Sequence, residues 1–124
     1  MTTDILLVSN DAFTINLFKD CCFQLAVKGV TRQSSQGLLN TLYKHTPDLV
    51  IIDFILEDGN GGSACHQIKC DKYLHNLPVA LLTEYDNLQR FAPKFGCTHL
   101  LNKPLSLNDM TLLIAMLSET ANAE

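Results

Sequence analysis

The sequence predicts an α/β domain in which a five-stranded parallel sheet is covered by helices on both faces. Two observations predict it. Short apolar runs alternate five times with longer segments of helical periodicity, the pattern of strand and helix units laid side by side. The strongest runs, Ile5-Leu6-Leu7-Val8 and Leu49-Val50-Ile51-Ile52, are apolar at every position, as central parallel strands are when helices bury both of their faces.

Each element has its own signal. Ser9-Asn10-Asp11 ends the first strand, and Phe13, Leu17, Cys21 and Leu25, with Phe18 and Cys22 beside them, place an apolar stripe on a first helix. Gly29 to Ser34 is a more polar strand and is expected toward an edge; Leu38, Leu39, Leu42 and Tyr43 mark the second helix. Pro47-Asp48 breaks that helix, and the next strand ends in a single carboxylate, Asp53. Glu57-Asp58-Gly59-Asn60-Gly61-Gly62 has the composition of a tight loop, with a helix over Ala64, Cys65 and Ile68 behind it. Pro78 opens Val79-Ala80-Leu81-Leu82, which ends at Thr83; a short helix from about Asn87 to Lys94 stops at Gly96. Leu100-Leu101 is a brief fifth strand. Ser106 and Asp109 have capping-box spacing before a last helix whose buried stripe is Met110, Leu113, Ile114 and Leu117. Thr120 to Glu124 reads as a frayed tail.

The 124 residues suit one compact core, since single cores commonly form from roughly 100–150 residues. The expectation is one domain over 1–124 with its core over about 4–118, and no linker or output segment within it. No apolar run approaches the roughly 20 residues that cross a bilayer. Met1-Thr2-Thr3-Asp4 carries no basic stretch, so the start does not read as a secretory signal and the protein is expected in the cytoplasm. Five cysteines without a C-x-x-C pair argue against a disulfide framework. Cys65, His66, Cys70 and His75 are not read as a metal set, because helical spacing turns the first three to different faces. A net charge of −4 with nine dispersed basic residues disfavours direct nucleic-acid binding.

In open parallel sheets, ligands bind where the carboxyl ends of the strands converge. Those ends carry Ser9, Asn10 and Asp11, then Asp53, Thr83 and Lys103. A lone Asp after a strand is most often a turn residue, and a Thr or a Lys-Pro there is common. Brought to one edge, a carboxylate, a hydroxyl and an amine make a site for a phosphoryl group, with one oxygen as nucleophile and the others as charge-complementary donors.

Three motifs sharpen this: Val50-Ile51-Ile52-Asp53 followed by Leu56 and Asp58-Gly59-Asn60-Gly61; Leu81-Leu82-Thr83; and Gly96-Cys97-Thr98-His99-Leu100-Leu101-Asn102-Lys103-Pro104. In order and spacing they resemble the receiver domain of two-component response regulators, from Ile5 to about Leu117; the third is similar to that family's Gly-Ala-x-x-Tyr-x-x-Lys-Pro segment. The resemblance implies a flavodoxin-like (βα)5 doubly wound sandwich with strand order 2-1-3-4-5. It implies a signalling module rather than an enzyme, with Asp53 accepting a phosphoryl group from a sensor histidine kinase or a phosphotransfer protein. Lys103, before a cis Pro104, would pair with the phosphoryl oxygens and Thr83 would hydrogen-bond the modified state. Output would pass through the face of the fourth helix, fifth strand and fifth helix.

The departures are as informative. Where the family has two adjacent carboxylates that help hold Mg²⁺, this chain has Ser9 and Asn10, and Asp11 stands one residue late. Each lost unit-charge pair is worth roughly 4 kcal/mol at about 4 Å and an effective dielectric near 20, before desolvation. Mg²⁺ is therefore expected to bind weakly or not at all, through Asp53 and the Asn10 carbonyl; Asp11 is a doubtful substitute ligand, since its one-residue offset at a helix start points the side chain elsewhere and its ordinary role is charge at the helix N-terminus. Leu100 replaces the family's switching aromatic, and the Thr83–Gly96 segment is short, which predicts a reduced fourth helix. Tyr85, Leu88, Phe91 and Phe95 in or beside that segment either cover the sheet or meet a partner. Two readings follow, a phosphorylation switch with a weakened metal site and a phosphorylation-independent interaction module. A flavodoxin-like nucleotide or small-ligand binder is the third, weakened by the lack of a G-x-G-x-x-G turn or a P-loop.

Overall fold

A computed structural model of the chain describes residues 2–85 and 92–122, with side chains at all of these except 92, 93 and 118–122. The elements are β1 (Asp4–Val8), α1 (Ala12–Leu25), β2 (Lys28–Arg32), α2 (Leu38–Lys44), β3 (Leu49–Asp53), β4 (Ile55–Leu56), β5 (Gly59–Asn60), α3 (Gly61–Cys70), β6 (Val79–Thr83), α4 (Ala92–Phe95), β7 (His99–Asn102) and α5 (Leu107–Asn122). The main sheet is parallel, in the order β2-β1-β3-β6-β7. With the β4–β5 hairpin set aside, this is the predicted order 2-1-3-4-5, and the polar strand β2 lies at an edge.

Alternate residues of the central strands feed two cores. Leu6, Val8, Val50, Ile52, Val79 and Leu81 pack with Leu38 and Leu42 of α2 and Ala64, Cys65 and Ile68 of α3. Ile5, Leu7, Leu49, Ile51, Ala80 and Leu82 pack on the other face with Phe18, Cys21 and Cys22 of α1 and Met110 and Leu113 of α5. At about 1.5–3 kcal/mol for each fully buried large aliphatic side chain, these runs dominate the stability that fixes the register.

Four expectations are corrected. The buried stripe of α1 runs through Thr14, Phe18, Cys21 and Cys22, whereas Phe13 is exposed; the Asp11 cap sets the helical phase and turns Thr14 inward. The stretch read as a loop after Asp53 contains the β4–β5 hairpin, and α3 already starts at Gly61, capped by the Asn60 side chain accepting from the Ser63 N–H. α5 continues through Thr120 to Asn122, where the sequence predicts a tail, and Ala123 and Glu124 lie outside the described residues. His66 and Cys70 share a face of α3, with Cys70 Sγ 3.5 Å from His66 Nε2. Cys65 is instead buried in the core. The fourth helix predicted from Asn87, together with Leu88 and Phe91, lies partly outside the described residues. Phe95 is partly buried and packs on Phe54, while Tyr85 is half exposed.

Candidate functional site

The carboxyl ends of β1, β3 and β6 and the residue after β7 meet at a cleft of about 510 Å³, whose lining includes Asn10, Asp11, Asp53, Thr83 and Lys103. Five of the six strand-end candidates are therefore at one place.

Asp53 ends β3 in a buried position, 2% exposed. The strand is held there by Phe54 N–H donating to the Leu82 carbonyl at 2.8 Å and Gly61 N–H donating to the Phe54 carbonyl at 2.8 Å. A Cβ on Gly61 would sit 2.3 Å from the Asp53 carbonyl oxygen, so this close approach of α3 to the strand end needs glycine. Asp53 Oδ2 accepts from Ser9 Oγ at 2.9 Å and lies 2.7 Å from Lys103 Nζ.

Lys103 follows β7 and precedes a cis peptide bond to Pro104. Its N–H donates to the Thr83 carbonyl at 2.8 Å, which fastens the start of the Lys-Pro loop to the end of β6. Its ammonium bridges two carboxylates, Asp53 at 2.7 Å and Asp11 at 3.1 Å. Burial works to lower its pKa, but the hydrogen bonds and charges of Asp53 and Asp11 outweigh burial and hold it above its usual value. Thr83 is buried at the strand end, where its Oγ1 accepts from the Tyr85 N–H at 3.0 Å.

The end of β1 is wired differently from the expectation. Ser9 is fully buried, and its hydroxyl both donates to Asp53 and accepts from the Asp11 N–H at 3.1 Å. Asn10 uses both ends of its amide: Nδ2 donates to the Gln33 carbonyl at 2.6 Å and Oδ1 accepts from the Glu57 N–H at 2.9 Å. Asp11 caps α1, with Oδ1 accepting from the Phe13 N–H and Oδ2 from Thr14 Oγ1, yet it does not point away, because Oδ2 also meets Lys103. The Thr14 hydroxyl and then Lys103 keep its carboxyl below the usual range.

Sequence reasoning missed two further anchors. Asp58, at the turn of the β4–β5 hairpin, accepts on Oδ2 from Ser34 Oγ, Ser35 Oγ and the Ser35 and Gln36 N–H groups. Arg32 reaches the same loop from β2, donating to the Ser34 and Gln36 carbonyls and to Thr41 Oγ1. A hairpin carboxylate facing three consecutive Ser/Gln residues has no spacing signature, since its partners are more than 20 positions away.

As a cation site, the part of the cleft around Asp53 has few free side-chain donors, although the exposed carboxylates Glu57 and Glu84 also line the cleft. Asn10 Oδ1 faces an N–H, both Asp11 oxygens have donors, and Asp53 Oδ2 already has two partners. Among the described residues no three His, Cys, Asp or Glu side chains gather into a set that holds a metal ion. Magnesium sites need at least a carboxylate or two turned toward the ion, and the side chains of Asn10 and Asp11 beside Asp53, committed to other partners, fit it poorly.

The response regulator receiver domain family model matches residues 5–115. The chain belongs to that family. Among curated relatives, this receiver domain is 24% identical to the polar-differentiation response regulator DivK of Brucella ovis over 109 residues, 86% of this chain and 89% of that protein. A CheY-like receiver domain protein from Methanospirillum hungatei superposes with a TM-score of 0.85 at 18% identity over the full length of both chains. The receiver domain of a sensor histidine kinase from Pseudomonas aeruginosa, with a magnesium ion coordinated in its active-site cleft, superposes with a TM-score of 0.82 at 16% identity, covering 94% of this chain and 98% of that one. The likeness to these two structures fixes the fold. Among the described residues, no helix of this receiver is long and apolar enough to cross a membrane.

Proposed function

We propose that this receiver accepts a phosphoryl group on Asp53, in a pocket whose hold on Mg²⁺ is weak. The observation that carries the reading is the buried Asp53 carboxylate with Lys103 Nζ at 2.7 Å, facing the same cleft as Thr83. An Asp53 oxygen attacks phosphorus, a P–O bond forms, and the P–N bond of a phosphohistidine donor breaks as the imidazole leaves. The Lys103 ammonium neutralises charge on the phosphoryl oxygens at the carboxyl edge of the sheet. Thr83 Oγ1 stands to hydrogen-bond the product. Residues 1–124 act as one receiver unit, and the donor is a sensor histidine kinase or a phosphotransfer protein, the partners that receiver domains meet in two-component systems. Output passes through the α4-β7-α5 face.

A second reading, an interaction module that needs no phosphorylation, draws support from Asn10, whose amide is committed to tying loops together. Leu100 favours it too, being packed on the core where the family has a switching aromatic.

Intact mass after incubation with a small phosphoryl donor, with and without Mg²⁺, separates the two. The expected result is one phosphate adduct in the wild type, absent in Asp53→Asn and only modestly promoted by Mg²⁺. No adduct on folded wild-type protein at any Mg²⁺ concentration contradicts the phosphoacceptor reading and leaves the interaction module.

A further inference from the structure

Lys103 has a long, flexible stem, and roughly 2 kcal/mol of rotamer entropy opposes its staying in one place. It is nonetheless mostly buried, and the structure provides what holds it. Its ammonium has three donors. One meets Asp53 Oδ2 at 2.7 Å and another meets Asp11 Oδ2 at 3.1 Å, so among the described residues a third is left for an oxygen in the cleft that Lys103 lines. Asp11 is itself fixed by the start of α1, through the Phe13 N–H at 3.1 Å and Thr14 Oγ1 at 2.8 Å. The carboxylate that touches the lysine is thus oriented by a helix terminus, a rigid element, and not by a loop.

We infer that Asp11 is a positioning residue for Lys103: it keeps the ammonium at the acceptor without help from a metal ion, and retains it when Asp53 becomes occupied. The kinetic part of this inference rests on the reading of Asp53 as the phosphoacceptor; the spectroscopic part does not. An acyl phosphate on Asp53 draws the ammonium toward the phosphoryl oxygens, and Asp11 remains its second partner throughout.

Asp11→Asn tests this with little disturbance of the fold, because Asn caps helices about as well as Asp while the charge is lost. In ¹⁵N NMR of the full chain, the Lys103 ammonium signal of the wild type is protected from exchange with water. In Asp11→Asn its exchange becomes at least about tenfold faster, as expected for loss of one charge-assisted partner. With a small phosphoryl donor, adduct formation at saturating donor slows by about tenfold, with the half-saturating concentration unchanged. Thr14→Val, which frees the Asp11 carboxylate to turn, shifts both readouts in the same direction but less. Unchanged Lys103 exchange in a folded Asp11→Asn variant overturns the inference and leaves Asp11 as a cap alone. A change confined to the half-saturating concentration also overturns it, since Asp11 would then only modulate the approach of the anionic donor. If the wild type forms no adduct, the phosphoacceptor reading fails and the exchange measurement alone decides the role of Asp11.

Discussion

The two corners of the cleft are built on different logic. At the β6–β7 corner, Thr83 and Lys103 are placed by backbone register: Thr83 pairs with Asn102 across the sheet, and the Lys103 N–H is bonded to the Thr83 carbonyl. At the β1 corner, Ser9, Asn10 and Asp11 each spend their polar atoms on neighbours, on Asp53, on two loops, and on α1 with Lys103. The first corner carries the hydroxyl and the ammonium that the proposed phosphoryl chemistry uses. The second carries hydrogen-bonded Ser9 and Asn10 where the family resemblance implies metal-facing carboxylates. Asp53 and Asp11 both remain partnered, although the trio keeps a net negative charge, because one ammonium bridges the two carboxylates.

The largest expected effect comes from removing that ammonium. Lys103→Met leaves Asp53 buried and unpaired beside Asp11, and urea unfolding near neutral pH should show a loss of about 3–5 kcal/mol, the cost of breaking a buried pair from one side. A loss comparable to that of a surface pair would mean that the β6–β7 corner does not balance the β1 corner. Ser9→Ala removes a donor to a buried carboxylate and should cost about 1.5–3 kcal/mol by the same measurement; a neutral outcome would show that Ser9 does not support Asp53.

The smallest effect is in the acid limb of stability. The Asp11 carboxyl, held below its ordinary 3.8 chiefly by Thr14 and then by Lys103, contributes stability that is present above its unfolded pKa and lost as pH falls through the lower folded value. Its side chain is 38% exposed, so the contribution stays below about 1 kcal/mol. Asp11→Asn should therefore flatten the stability profile slightly below about pH 4 and leave the rest of the acid limb unchanged. Lys103 works in the opposite window. Its raised folded pKa gives stability that is complete below the usual 10.5 and is lost as pH rises through the folded value.

The same contrast governs what the sequence made legible. Asp53, Thr83 and Lys103 lie at or just beyond the ends of apolar runs whose period and length announce strands, so their convergence follows from the sheet alone. The strand order came with the family resemblance and not from periodicity. The second role of Asp11 is hidden because its position predicts only a cap, while Oδ2 accepts from Thr14 and Lys103 together. The loop-tying role of Asn10 is hidden because its partners Gln33 and Glu57 are set by loop geometry 23 and 47 positions away. Gly61 and Gly62 read as loop residues, but they open α3 because the Asp53 carbonyl and the Phe95 ring leave no room for a Cβ. Lys103 for Asp11, Gln33 and Glu57 for Asn10, and Phe95 for Gly62 are all distant in sequence and carry no periodic signal.

Whether the β1 corner has exchanged metal binding for hydrogen bonding is decided by titrating Mg²⁺ into the wild type and into Ser9→Asp/Asn10→Asp, following amide shifts around Asp53. The wild type should not saturate through about 10 mM, and the double variant should saturate at a concentration at least about tenfold lower as carboxylates return to the site. Wild-type saturation at or below about 1 mM, with shifts centred on Asp53, would contradict the exchange.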